Sequence, residues 1–360
     1  MANYPKNLCF LKTDVILSFI TKTLYFEVTM NIAIVGCTGM VGRKFIEVVQ
    51  ERNLKADEFY LYASAKSAGT KITVFNKEYT VIELTKENVV DKKIDIALFS
   101  AGASVSKEFA PVFASIGAIV VDNSSCWRMN EKVPLVVPEV NENDVLWNNG
   151  IIANPNCSTI QAMLVLKPLD EAFGIKRVVY STYQACSGAG VKGYNDLKNG
   201  IEGKAPEKFP VQIFSNCLPH IDVFMESGYT KEEEKMVNET RKILHRPDMR
   251  ITATTVRVPV YNCHSESINI EFNSPATADE VREILKKQQN VVVMDDTKNS
   301  VYPTVLDANG KDEVFVGRIR QDFSVESGVN LWCVADNIRK GAATNAVQIA
   351  QSLIKLGLVK

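Results

Sequence analysis

"NIAIVGCTGMVGRKFIEVVQER", residues 31–52, is the stretch whose reading decides the fold. "NIAIVG" is an unbroken apolar run of strand length, and "GMVGRKFIEVVQER" carries the apolar spacing of a helix. Between them Gly36, Gly39 and Gly42 stand three apart, as G-x-x-G-x-x-G rather than the commoner G-x-G-x-x-G. Glycines in such a turn let the backbone close on a pyrophosphate, whose charge the helix N-terminus favours. A turn of this kind between strand and helix predicts a nucleotide site.

Working outward, "EFYLYAS", "KIDIALFSA" and "AIVVDNSS" read as further buried strands, with the helical "VSKEFAPVFASIG" between the last two. Apolar strands alternating with helices predict a parallel sheet covered on both faces. After Cys157 the pattern changes. "KRVVYSTYQA", "RITATTVRVPV", "SESINIEF", "NVVVMDD", "EVFVGRIRQDF" and "NLWCVADN" are longer strands with more polar alternation. They predict a mostly antiparallel sheet, interrupted by helices at "TKEEEKMVNETRKILH" and "TADEVREILKKQ". The tail "KGAATNAVQIAQSLIKLGL" reads as an amphipathic helix returning to the first domain. The expected fold class is therefore α/β: a Rossmann-type nucleotide-binding domain (30–156, completed by 338–360) and an α+β domain (157–337). The boundary falls at Asn154–Cys157, and pockets favour such junctions.

Composition bounds the function. The 360 residues suit two domains, and 46% hydrophobic with 23% charged residues is ordinary for a soluble globular chain. A net charge of -1 argues against nucleic acid or an anionic membrane as partner. The eight cysteines form no C-x-x-C pair, so neither a metal site nor a redox motif is expected, and reduced thiols in a cytoplasmic protein are. Residues 1–29 are apolar only in patches broken by Lys12, Asp14 and Lys22, too short for a spanning helix and without a signal-peptide pattern. Met30 opens a stretch that reads like a protein start. Residues 1–29 are thus expected to be an upstream extension outside the fold.

The second strand bears on the nucleotide. Asp57 and Glu58 sit at its beginning, the wrong end to hold ribose hydroxyls. Its other end reads "YASAKSAG", with Ser64, Lys66 and Ser67 and no acid. Those groups suit a 2′-phosphate, so NADP is expected over NAD.

"NPNCST" ends a strand run and starts a helix, which places the Cys157 thiol in the positive end of the helix dipole. That predicts a pKa below the free value of about 8.5. A lone cysteine there is more often a packed thiol. Its company elsewhere argues otherwise: Gln184 with the small-residue turn of Ser187 and Gly188, then Arg257, and His264 at a strand start, a sensible place for a general base.

Taken together, "GCTGMVG", "ASAKSAG", "SSCWRM", "NPNCST", "YQACSGAG", "EEEKMVNETRKIL", "RVPVYNCHSES" and "ADNIRKGAA" resemble, in order, the aspartate-β-semialdehyde dehydrogenase family of bacteria. The resemblance runs from Met30 to the end and gives residues 1–29 no counterpart. It implies a phosphate- and NADP-dependent, reversible oxidation of L-aspartate 4-semialdehyde, reductive in biosynthesis toward lysine, methionine and threonine. By resemblance Cys157 is the nucleophile, His264 the acid/base and Gln184 a substrate-orienting residue. Arg257 grips the α-carboxylate, Glu232 faces the ammonium, and Lys235 and Arg128 face phosphate. Thr38, Gly39, Met40 and Val41 line the pyrophosphate turn with Gly36 and Gly42. Lys66 and Ser67 meet the 2′-phosphate, while Asn337, with Ser187 and Gly188, meets the cofactor near its nicotinamide. The family implies a homodimer with the second domain as catalytic and dimerisation domain.

Lys66 stands where the family often has arginine, so NADP preference is expected to be weaker. Cys126 and Cys186 beside the site read as packing thiols. Two alternatives remain at this stage. One is an N-acetylglutamyl-phosphate-type reductase, which has no need of Glu232 for a free ammonium. The other is a non-catalytic NADP-binding protein.

Overall fold

The structure, a computed structural model, describes residues 30–359. The expected extension at 1–29 lies outside the described residues. Eight strands come first: β1 (Asn31–Val35), β2 (Glu58–Ala63), β3 (Lys71–Val74), β4 (Lys77–Thr80), β5 (Ile82–Glu83), β6 (Ile96–Phe99), β7 (Ile119–Asp122) and β8 (Ile151–Ala153). Six of them form a sheet in the order β5-β2-β1-β6-β7-β8 with every pair parallel. Ile32 to Val35 and Ile96 to Phe99 have no exposed surface, because helices cover both faces of a parallel sheet. Helices α1 (Met40–Glu51), α2 (Lys86–Val90), α3 (Ala103–Ser115) and α4 (Pro138–Asn141) accompany this sheet. β1 lies between β2 and β6, so the strand order reverses at the glycine turn that follows it, where α/β sheets place ligands.

The hairpin β3–β4 was not read from the sequence. Its two-residue turn is Phe75-Asn76, both at positive φ (46 and 64). The usual mark of such a turn is Asn-Gly, and this one carries no glycine.

The second half has α5 (Cys157–Phe173), β9 (Ile175–Gln184), α6 (Gly190–Gly200), α7 (Lys231–Ile243), β10 (Arg250–Arg257), β11 (His264–Phe272), α8 (Ala278–Lys287), β12 (Val291–Val293), α9 (Val305–Ala308), β13 (Val314–Gln321) and β14 (Gly328–Ala335). Its sheet order is β10-β9-β11-β14-β13-β12. The three central pairings are antiparallel, as expected, but both edge pairs are parallel, so the sheet is mixed. Each parallel pair is joined by a long crossover, which parallel strands require.

α5 is buried nearly all round. Ile160 and Ala162 to Leu166 have no exposed surface, and the helix shares one core with residues of both sheets, such as Val35, Phe99, Ile268 and Leu331. A helix apolar on every side belongs inside a protein. The last helix, α10 (Asn345–Lys355), buries Ala346, Val347, Ile349, Ala350 and Leu353 in a cluster with Ile32, Ile34 and Leu98 of the first sheet. Among the described residues, no helix is long and apolar enough to cross a membrane.

Candidate active site

Cys157 is the first residue of α5, and Asn156 caps it: the Asn156 side chain accepts from the Ser158 and Thr159 N–H groups. Across from it, His264 opens β11, fully buried, with Nε2 3.2 Å from Cys157 Sγ. The Ala185 N–H donates to His264 Nδ1 at 3.0 Å. Nδ1 is therefore an acceptor, and the neutral ring carries its proton on Nε2, aimed at the sulfur. Burial and the nearby Arg257 hold the imidazole down at about 3, so the ring is neutral at pH 7.

The expected lowering of the thiol pKa is corrected. Burial, reinforced by the charge of Glu232, pushes the Cys157 thiol up to about 12. Arg128, Arg257 and Lys235 pull the other way and do not outweigh the lost solvation. In this state the pair is a thiol and a neutral imidazole.

The walls carry the charged residues that the sequence singled out. Cys157, Gln184, Glu232, Lys235, Arg257 and Arg128 line one cavity of about 440 Å³, within the size range of small-molecule sites. Arg257, at the end of β10, is buried, donates from Nη1 to the Ala185 carbonyl at 2.6 Å, and leaves its Nε–H without a partner among the described residues. Glu232 and Lys235, one turn apart on α7, pair at 2.9 Å. Burial alone opposes ionisation of Glu232, but Lys235 and the Asn156 amide hold its carboxyl below the usual range. Gln184, also buried, donates at 3.3 Å to Glu232 Oε1, the oxygen that Asn156 also meets, while Lys235 takes Oε2. Gly188 leaves these side chains their places: a Cβ there would lie 2.8 Å from Arg257 Nη1 and 3.2 Å from His264 Nε2, so Arg257 would have to shift.

The same cavity reaches the nucleotide turn through Val41 and Asn337. The turn fits a pyrophosphate. Gly36 has φ 83, and a Cβ on it would collide with the Ser100 carbonyl. One on Gly42 would collide with the Gly36 carbonyl, and Gly39 caps α1 without any side-chain bond to its first turn, at Met40 and Val41. The N–H groups there remain open to an anion. Thr38 donates to Ser67 Oγ at 3.5 Å, which brings the segment of Lys66 and Ser67 beside the turn and outside the cavity wall. Asn337 accepts from the Cys263 N–H at 2.8 Å and bonds Ser187 at 3.1 Å, so it braces the backbone next to His264.

Several site residues were missed by reading the sequence. Asn156 touches Glu232 at 2.9 Å as well as capping α5, and Glu239 holds both Arg128 Nη1 (3.1 Å) and the Asn156 N–H (2.7 Å). Asparagine before a helix start was a readable cap signal, and Glu239 lies two turns past Glu232 on one face. Gly341 had no signal: a Cβ there would lie 2.9 Å from the Cys157 Cβ. Glu266, two residues past His264, is buried with neither oxygen bonded, and burial raises its carboxyl well above the usual range. Cys186 is a packed thiol that donates to the Val258 carbonyl, and burial raises it to about 11.

Comparison with known proteins bears on this geometry. Residues 31–147 match the family described as semialdehyde dehydrogenase, NAD binding domain, and residues 166–340 match semialdehyde dehydrogenase, dimerisation domain. The chain is 58% identical over 338 residues to aspartate-semialdehyde dehydrogenase of Aquifex aeolicus (strain VF5), covering 91% of this chain and 99% of that one. Its fold is similar to the crystal structure of aspartate semialdehyde dehydrogenase II from Vibrio cholerae complexed with ASA. There the TM-score is 0.86, with 44% identity and coverage of 91% and 98%. The Candida albicans enzyme solved with NADP is similar at TM-score 0.70, with 27% identity and coverage of 91% and 98%.

Proposed function

Because the chain belongs to the aspartate-semialdehyde dehydrogenase family, oxidoreductases of amino-acid biosynthesis, we propose that it interconverts L-aspartate 4-semialdehyde and 4-phospho-L-aspartate, dependent on NADP and phosphate, through a thioester on Cys157. The reductive direction serves lysine, diaminopimelate, methionine and threonine synthesis. Residues 30–156 with 338–360 form the nucleotide half, and 157–337 the catalytic and dimerisation half of a homodimer.

The observation that carries this reading is the Cys157–His264 contact at 3.2 Å, made by a cysteine that lines one cavity with Arg257 and Glu232. Cys157 adds to the aldehyde carbon to give a hemithioacetal. The nicotinamide, when bound, supplies the hydride exchange at that carbon. Phosphate then attacks the thioester, and the thiolate leaves. His264 serves the hemithioacetal oxygen through Nε2. To take a proton there, Nδ1 must turn from acceptor to donor, so the ring gives up the Ala185 N–H during turnover. Arg257 offers its unspent N–H groups to the α-carboxylate, and ionised Glu232 holds the ammonium. That ionisation favours a free amino group over an acylated nitrogen. Binding the ammonium also quiets the Glu232 charge that holds the thiol protonated.

The test is an assay of aspartate semialdehyde, with and without phosphate, with NADP and NAD in parallel and the N-acetylglutamyl aldehyde as control. Phosphate-dependent reduction of NADP with the first aldehyde alone is expected. Turnover of the second instead would sink the substrate assignment.

A further inference from the structure

Charge on the cavity wall is short where phosphate must sit. Arg128 is largely spent: Nε donates to the Asn154 carbonyl at 2.9 Å, Nη2 to the Asn123 carbonyl at 2.9 Å, and Nη1 faces Glu239 at 3.1 Å. Lys235 is shared by Glu232 at 2.9 Å and Asp222 at 2.8 Å. These two cations thus face three carboxylates. Even once the substrate ammonium has neutralised Glu232, the group sums to zero. A phosphate dianion leaving water needs an opposite charge that is not already matched.

Apart from Arg257, whose free N–H groups are assigned above to the α-carboxylate, one cation on the same wall has no acidic partner among the described residues. Lys208 lines the cavity, is exposed, and has no ion pair among the described residues. Its backbone is fixed although its ammonium is free to move. The Asp196 carboxylate, on α6, accepts the N–H groups of Glu207, Lys208 and Phe209 at 2.8, 2.8 and 2.9 Å. The Phe209 ring in turn lies 5.8 Å from the Arg257 guanidinium, which seats this strap against the substrate side of the pocket. We propose that Lys208 is a third phosphate-binding residue, closing on the dianion opposite Arg128 and Lys235. Asp222 is its counterweight. Held at φ 68, a conformation aspartate and asparagine tolerate, it caps Lys235 and competes with phosphate for that ammonium.

This assignment rests on the phosphate-dependent reading above, and the experiment separates the two. KM for inorganic phosphate is measured for the wild type, Lys208→Met, Lys208→Arg and Asp222→Asn. NADP affinity is measured by fluorescence, and phosphate protection of Cys157 from iodoacetamide is followed in cofactor-free protein. Lys208→Met is expected to raise the phosphate KM about tenfold and to weaken protection equally, with NADP affinity unchanged. Lys208→Arg restores both, and Asp222→Asn moves the phosphate KM the other way. Opposite signs from two residues lining one cavity do not follow from misfolding. A phosphate KM unmoved by Lys208→Met overturns the assignment, as does a matching loss of NADP affinity, which would put Lys208 on the cofactor's phosphate. Wild-type turnover indifferent to phosphate removes the reaction as read, and this assignment with it.

Discussion

Two buried charge clusters, built from the same residue types, behave in opposite ways. In one, Lys340 has no exposed surface, and its Nζ meets Glu139 at 2.8 and 3.0 Å, Asn345 at 3.0 Å and Gln348 at 2.7 Å. Glu139 also accepts from Asn290 and Gln348, and although burial alone would raise its carboxyl, Lys340 and these amides hold it at about 2. Nothing is left over, and this cluster ties α10, α4 and the segment before β12 together. In the other, Arg257 keeps an Nε–H with no partner among the described residues, Lys235 is shared by two acids, and the Cys157–His264 pair is pushed away from its charged forms. Complete satisfaction marks architecture. Partial satisfaction marks a site waiting for a ligand that brings the missing charges.

The contrast can be broken by substitution. The largest effect is expected from Cys157→Ala: turnover should vanish while NADP binding and Tm stay near wild type, and appreciable residual rate would take the sulfur out of the chemistry. His264→Ala should cut kcat by roughly 10²–10⁴, read by steady-state kinetics at saturating substrate. Lys340→Met tests the other cluster. It strands the Glu139 carboxylate, so denaturant unfolding should show a loss of about 3–5 kcal/mol with kcat/KM of the folded fraction preserved. Arg257→Lys should show the reverse, an unchanged Tm with about 10- to 100-fold lost in kcat/KM for the semialdehyde, since a point charge cannot replace the fork.

Smaller effects sharpen the comparison. In the ligand-free protein, alkylation of Cys157 should be slow at neutral pH and climb steadily from about pH 7 to about pH 10. Glu232→Gln removes a charge that raises the thiol pKa, so it should speed alkylation at every pH in that window. Burial, reinforced by the Glu232 charge, raises the native Glu266 carboxyl well above its value in the unfolded chain. The native state thus binds the extra proton, and wild-type stability should fall as pH rises above the unfolded value of about 4.3. Glu266→Gln should flatten that fall in pH-dependent denaturation curves.

Much of this site was legible residue by residue. Gly36, Gly39 and Gly42 announced a close backbone approach, and at Gly36 and Gly42 a Cβ would collide with a carbonyl; the α1 helix follows at once. The apolar runs of β1 and β6 told which segments lie inside. What was not legible came from groups far apart in the chain. Asn156 and Glu239 went unread in the sequence, yet together they anchor Arg128 and Glu232. The Phe75-Asn76 hairpin escaped notice because its turn lacks the glycine that normally signals it.

Local spacing, then, was enough to establish the α/β class and the nucleotide turn, because strand runs, helix starts and glycine turns depend on neighbours a few residues away. The protonation state of Cys157 and His264, the bracing by Asn337 and Gly341, and the charge deficit that Lys208 answers belong to the tertiary structure alone. Burial and Coulomb forces act through space, and they sum contributions from Arg128, Glu232 and Arg257 that the chain keeps many residues apart.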